Sequence, residues 1–267
     1  ATAKQFPSKN AIIDKTTNKT VTYGKSLIAT LILSARFKKI PDQFIGILLP
    51  TSAGGALATV AVLMAGKVPV MINYSTGAKD NSLYAQKKCS FSTILTSGAL
   101  LEKINCPRIE GMVILEDLMK EITPLEKIGA ALKSKLPLKK LVTLIAGGEE
   151  SDTAAILFTS GSEKDPKAVQ LTHKNISSNI ENFGNYVNIS SDDSILANLV
   201  FFHGFGLTVN LWVTFYYGMT MITYANPLDF NTICTIAREE KPTVMVGTPS
   251  FFWGYLNRSR QGDFKSI

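Results

Sequence analysis

Short apolar runs alternate along this chain with longer amphipathic or wholly apolar segments, and that alternation predicts strands and helices in turn. Ala11–Asp14 and Thr20–Tyr23 read as two strands around the polar Lys15–Lys19 tip, and Gly24 leads into a helix carrying Leu27, Ile28, Leu31 and Ile32. Phe44–Leu49 predicts a strand, Ala56–Met64 a helix and Val68–Ile72 the next strand, which together make a βαβ unit. No charge lies between Asp42 and Lys67, so length alone would allow residues 44–66 to cross a membrane. The interruption Pro50-Thr-Ser-Ala-Gly-Gly55 favours strand plus helix instead.

Asn81–Lys88 predicts a helix, Thr93–Thr96 and Met112–Leu115 two strands, and Ile122–Lys135 a weaker helical region. Ala154–Phe158 and Ala168–Leu171 read as strands flanking a polar loop, followed by a helix over Asn175–Tyr186 with Thr172 placed as its N-cap and His173 in its first turn. A second charge-free stretch, Ser194–Leu228, is read as a strand from Leu199 running into a turn that ends at Gly206, then a helix end at Gly218 and a strand over Thr220–Tyr224. Asp229–Glu239 reads as helix, Thr243–Val246 as strand and Phe251–Leu256 as an aromatic helix. The expected class is α/β, with mostly parallel sheets covered by helices.

At 267 residues and 45% hydrophobic content the chain can hold one large domain or about two smaller ones. Its net charge of +7 comes from 28 basic and 21 acidic residues, densest at Lys133, Lys135, Lys139 and Lys140. That run suits an acidic carrier protein or an anionic lipid surface, or is simply a solvated helix end. Nucleic acid is not expected as a partner, because there is no zinc-ligand spacing and no basic stripe interleaved with aromatics. Cys89, Cys106 and Cys234 are odd in number and far apart, which excludes a disulfide framework, offers no metal cluster and fits a reducing compartment. With no initiator Met and no signal-peptide pattern at Ala1-Thr-Ala-Lys-Gln, the chain is expected to begin inside a longer protein.

The densest chemistry lies in Thr159-Ser-Gly-Ser-Glu-Lys-Asp-Pro-Lys167. Three hydroxyls and a glycine follow an apolar strand, so backbone N–H groups stay accessible to an anion, and Lys164 and Lys167 add positive charge. Pro166 stiffens the return. The kinase-type phosphate loop does not fit, since Lys167 is followed by Ala168 and Val169 rather than by a hydroxyl residue opening a helix. A solvated turn is the plain alternative.

Thr159-Ser160-Gly161-Ser162, then Pro166-Lys167, then Thr172-His173-Lys174-Asn175 resembles the phosphate-binding signature of the acyl-adenylate-forming superfamily. Lys164 and Ala168 stand where that family usually has glycine, and Ser162-Glu163 looks like the bacterial acyl-[acyl-carrier-protein] synthetase branch, whose domain is fused to a 2-acylglycerophosphoethanolamine acyltransferase. Phe201-Phe202-His203-Gly204-Phe205-Gly206 resembles the family's aromatic-histidine turn, and Thr248-Pro249 its segment before the helix that walls the acyl pocket. Tyr217-Gly218-Met219-Thr220 only imitates the adenine-site motif, with Met221 in place of its glutamate.

The resemblance implies ATP-dependent activation of a fatty acid as an acyl-adenylate, with Mg²⁺, and transfer to the thiol of acyl carrier protein, in phospholipid acyl-chain recycling. Thr159, Ser160, Gly161, Ser162 and Lys167 would hold the phosphates. His203 would act at the substrate carboxylate, with Gly204, Phe205 and Gly206 shaping the pocket, and no protein metal ligand is assigned. It also implies that residues 1–267 are the first part of an AMP-binding domain, inactive alone. In that scheme about 40–190 form one αβ subdomain with the phosphate loop, about 1–36 plus 192–267 form a second, and the active site lies between them. A cytoplasmic-side location follows, with any inner-membrane association through regions outside this chain. Acyl-CoA synthetase, a non-catalytic lipid- or carrier-binding module on the same fold, and a phosphoryl-transfer enzyme remain alternatives.

Overall fold

The strands follow the apolar runs. In the computed structural model, which describes residues 1–145, 147–159 and 165–267, they are β1 (Asn10–Asp14), β2 (Lys19–Thr22), β3 (Phe44–Leu48), β4 (Val68–Met71), β5 (Ile94–Thr96), β6 (Met112–Ile114), β7 (Thr153–Phe158), β8 (Ala168–Thr172), β9 (Ser194–Ala197), β10 (Thr220–Thr223) and β11 (Val244–Met245). They form two sheets, ordered β6-β5-β3-β4-β7-β8 and β11-β9-β10-β1-β2, each parallel except for one antiparallel edge strand, β8 or β2. The α/β class expected from the alternation is the class found.

The chain divides into two units: one made of Ala1–Lys25, Thr51–Ala53 and Ser178–Ile267, the other of Ser26–Pro50 and Gly54–Ser177. These boundaries differ from the expected 36/40 and 190/192. The helix Tyr23–Phe37 packs Leu31 and Ile32 against Ile122, Ala130 and Leu141, so most of it belongs with the second unit. Thr51–Ala53 goes with the first unit, because Thr51 Oγ1 donates to Leu199 O at 3.2 Å and Ala53 N to Asp14 Oδ2 at 2.8 Å.

In the second unit, β3 and β4 are apolar in almost every position because both faces are covered. The charge-free stretch of residues 44–66 resolves into β3 and a 12-residue helix, Ala53–Met64, whose Gly55–Thr59, Ala61 and Val62 are buried. No helix among the described residues is long and apolar enough to cross a membrane. The helix expected loosely over Ile122–Lys135 is Pro124–Ser134, opened by a capping box between Thr123 and Glu126. Arg36 grips Glu126 through Nε at 2.8 Å and Nη2 at 2.9 Å, and with the Thr123 backbone N–H it holds the Glu126 carboxyl down at about 2.

In the first unit, Leu196, Ile222, Ile233, Ile236 and Tyr255 centre a core that Phe230, Phe251 and Phe264 close around. Gly218 ends the helix Thr214–Tyr217 at φ 76°, as its position predicts, since a left-handed residue costs glycine least. The short helices Thr2–Gln5, Gly98–Lys103, Leu115–Lys120 and Leu138–Val142 were not anticipated, being too short to show a period.

Candidate active site

β7 runs parallel to β4, so the Thr159–Lys167 loop leaves the carboxyl edge of the sheet, where open α/β sheets receive ligands. β7 and β8 are antiparallel, with Phe158 opposite Ala168. The two strands therefore form a hairpin. Its base is closed by Thr159 N donating to Lys167 O at 3.0 Å and by Lys167 N to Thr159 Oγ1 at 3.4 Å. These contacts bring together two residues singled out from the sequence, both exposed. Ser160, Gly161, Ser162 and Lys164 lie outside the described residues.

Ala168 sits in β8, in extended backbone that an L-residue adopts freely, so the alanine in place of the family's glycine imposes no strain. The return of the loop is held by Tyr84, whose Oη donates to Pro166 O at 2.9 Å while its ring meets Phe158 edge-on at 5.9 Å. Tyr84 escaped the sequence reading because nothing local ties position 84 to position 166. Tyr84→Phe is expected to remove about 1 kcal/mol from this anchor, so the Lys167 amide should exchange with solvent about fivefold faster. Unchanged exchange at Lys167 would mean that the loop does not depend on that hydroxyl.

The downstream Thr-His-x-Asn motif is a helix cap. Asn175 N donates to Thr172 Oγ1 at 3.1 Å and Thr172 N to Asn175 Oδ1 at 3.1 Å, while His173 N and Lys174 N donate to Asp152 O and Glu150 O. The helix starts at His173 rather than Asn175 and ends at Val187. The exposed His173 lines a pocket of about 650 Å³ with Gln43, Lys67, Glu149, Glu150 and Asp152, at the amino ends of β3, β4 and β7. Three carboxylates make that pocket unsuited to a polyphosphate.

The segment read as a strand from Leu199 proves to be a turn, because the strand is β9 and ends at Ala197. The Leu199 carbonyl is occupied by Thr51 Oγ1 and by Asn210 Nδ2 at 3.0 Å, so it pairs with no neighbouring strand. His203, Gly204 and Phe205 are exposed, and buried Gly206 opens a π-helix, Gly206–Val213. A methyl at Gly206 would overlap the Val200 carbonyl oxygen, so glycine is required by close approach. The His203 ring lies 4.6 Å from that of Phe202, and desolvation keeps its pKa below the ordinary 6.5, so the imidazole is neutral at pH 7.

The sequence profile of the AMP-binding enzyme family matches residues 1–267. The chain belongs to that family. Among AMP-binding relatives, the medium-chain acyl-CoA ligase ACSF2 of Rattus norvegicus is 24% identical over 100% of this chain and 48% of its own length. The long-chain-fatty-acid–CoA ligase ACSBG2 of Xenopus laevis is 26% identical over 77% of this chain and 29% of its own. The acyl-CoA ligase sidI of Aspergillus fumigatus is 30% identical over 48% of this chain and 22% of its own. The chain thus spans between 22% and 48% of the length of these curated relatives.

The AMP-binding fold is shared with O-succinylbenzoate coenzyme A synthetase (MenE) of Bacillus subtilis, solved in complex with AMP. The TM-score is 0.79 at 20% identity, over 99% of this chain and 64% of that one. The same enzyme in complex with ATP and magnesium ion gives 0.75 at 21% identity, over 98% of this chain and 66% of that one.

Proposed function

We propose that this chain carries the phosphate-binding and carboxylate-positioning parts of an enzyme that activates a fatty acid with ATP and passes the acyl group to a thiol. The observation that carries the reading is the hairpin closed by Thr159 and Lys167 at the carboxyl edge of a parallel sheet, in a chain matched along its whole length by the AMP-binding family.

A carboxylate oxygen of the fatty acid attacks the α-phosphorus of ATP, and the bond to the β-phosphate oxygen breaks, giving acyl-adenylate and pyrophosphate. A thiol sulfur then attacks the acyl carbon, the thiol proton is released and AMP departs. Two anions must meet in the first step, so the protein's work is positioning and charge neutralisation. Lys167 and the Thr159 hydroxyl take the departing pyrophosphate, with Ser160, Gly161 and Ser162 assigned to the same anion. A Mg²⁺ bound with the nucleotide would supply neutralisation of phosphate charge.

Neutral His203 donates one hydrogen bond to the carboxylate, with Gly204, Phe205 and Gly206 forming the turn that presents it. Because its pKa is lowered, His203 stays neutral from pH 7 upward and gains a proton only below 6.5. KM for the fatty acid is accordingly expected to be flat from about pH 7 to 8 and to fall on further acidification, as the imidazolium pairs with the carboxylate. A His203→Gln variant that kept the same profile would assign the titration to another group.

CoA is the favoured acceptor, because the relatives are named as acyl-CoA ligases. Acyl carrier protein is the second reading and rests on Ser162-Glu163. The deciding experiment is fatty-acid-dependent exchange of labelled pyrophosphate into ATP, measured on this chain and on any longer protein that contains it. CoA and carrier protein are then compared as acceptors. Absence of exchange from both proteins, each folded, would move the reading to a non-catalytic module.

A further inference from the structure

The helix Pro124–Ser134 shows its most apolar stripe to solvent. Leu125, Ile128 and Leu132 follow one another at helical spacing, within about 60° of arc at 100° per residue, and are 81%, 57% and 63% exposed. The opposite side is the packed one. Ala130 is buried against Leu31 and Ile32, and Glu126 is held by Arg36. The next helix, Leu138–Val142, repeats the arrangement in miniature, with Leu141 buried in the same cluster and Leu138 and Val142 exposed. Both helices thus pack onto one neighbour and leave apolar side chains outside, where an isolated water-exposed helix would carry polar ones.

Beyond Glu126, which Arg36 holds, the charge that follows along the chain is of one sign. From Lys127 to Gly148 there is no acidic residue, while Lys127, Lys133, Lys135, Lys139 and Lys140 are present and exposed. They are five of the chain's 28 basic residues, in a stretch with no acidic residue to balance them. On the helix Pro124–Ser134, Lys127 and Lys133 flank the apolar arc about 100° and 80° from its edges, within reach of long stems that can lie along an apolar surface.

We infer that this face lies on an anionic lipid surface. An acidic soluble protein would need an apolar groove matched to Leu125, Ile128 and Leu132 as well as carboxylates for the lysines. A bilayer interface takes both together, with apolar side chains among the acyl chains and ammonium groups at the phosphates. The surface belongs to this chain and would bring the protein to the phase that holds long-chain lipids.

The test is co-sedimentation of the purified protein with vesicles of phosphatidylcholine containing roughly 30% phosphatidylglycerol, beside vesicles of phosphatidylcholine alone. Binding is expected only to the anionic vesicles and should weaken with salt. Leu125→Ser, Ile128→Ser and Leu132→Ser together are expected to lower the partition coefficient about tenfold. Lys133→Glu, Lys135→Glu, Lys139→Glu and Lys140→Glu together should do at least as much. All these side chains are exposed, so circular dichroism should be unchanged. The control, Lys87→Glu, Lys88→Glu, Lys103→Glu and Lys265→Glu, carries the same change in net charge and should keep most of the binding.

Absent vesicle binding, undiminished binding by the serine variant, or an equal loss in the control would each overturn the proposal. Capture of a purified acidic carrier protein that survives the serine changes, without vesicle binding, would assign the lysines to protein docking instead. None of these readouts requires ATP or turnover, so they stand apart from the adenylation assay.

Discussion

Lys167→Ala is expected to lower fatty-acid-dependent exchange of pyrophosphate into ATP by about 100-fold, the usual scale for removing one preorganised group facing developing charge. The change should leave the fold intact. The main-chain groups of Lys167 bond to Thr159 at the base of the hairpin, and those bonds do not involve the side chain. The loss should therefore appear in the handling of nucleotide and pyrophosphate, with fatty-acid affinity nearly unchanged. Lys167→Arg keeps the charge and should recover part of the rate, though not all, since a planar guanidinium replaces a compact ammonium. Steady-state exchange across ATP and pyrophosphate concentrations makes the comparison. An alanine variant with undiminished exchange would show that the loop neutralises the anion without this lysine.

The second large effect concerns stability. Asp14 is 1% exposed, and its carboxylate accepts from Thr16 N and Thr17 N at 3.0 Å and from Ala53 N at 2.8 Å. Asp14→Ala would leave three main-chain donors without their acceptor, two in the turn after β1 and one at the start of the helix Ala53–Met64. With charge-assisted bonds at 1.5 kcal/mol or more each, partly offset by water at the turn, the expected loss is about 3 kcal/mol. Asp14→Asn retains one acceptor oxygen and should cost about half as much. Urea unfolding followed by tryptophan fluorescence measures both. A loss under about 1 kcal/mol for the alanine variant would mean that water replaces the carboxylate at all three amides.

Asp14 shows where sequence reading stopped. It was legible as the last residue of a strand, and an aspartate before a polar turn is an ordinary Asx signal. Its bond to Ala53, 39 positions away, had no signature in either segment. The Leu199–Gly206 segment failed for a related reason. Its aromatic and aliphatic side chains resemble a buried strand, and in a stretch without charge the pattern cannot separate a strand from a buried turn. Only the capture of the Leu199 carbonyl by Thr51 and Asn210 distinguishes them. The exposed stripe on Pro124–Ser134 was equally hidden. Its period is helical, but a periodic apolar face ordinarily points inward, and the short residue Ala130 took the inward position here.

Local chemistry alone was enough to determine the α/β alternation, the hydroxyl-rich loop between two strands and the left-handed helix end at Gly218. The cap at Thr172 was legible in the same way, though not the return bond from Thr172 N to Asn175 Oδ1. Each of these depends on residues within a few positions of one another, where backbone geometry and side-chain reach leave little choice. The tertiary structure decided what depends on distant segments: the antiparallel closure of Thr159 on Lys167, the grip of Tyr84 on Pro166 and the assignment of most of the helix Tyr23–Phe37 to the second unit. It also decided which side of Pro124–Ser134 faces water, because burial is set by whichever segments arrive opposite a residue, and no window of sequence contains both partners.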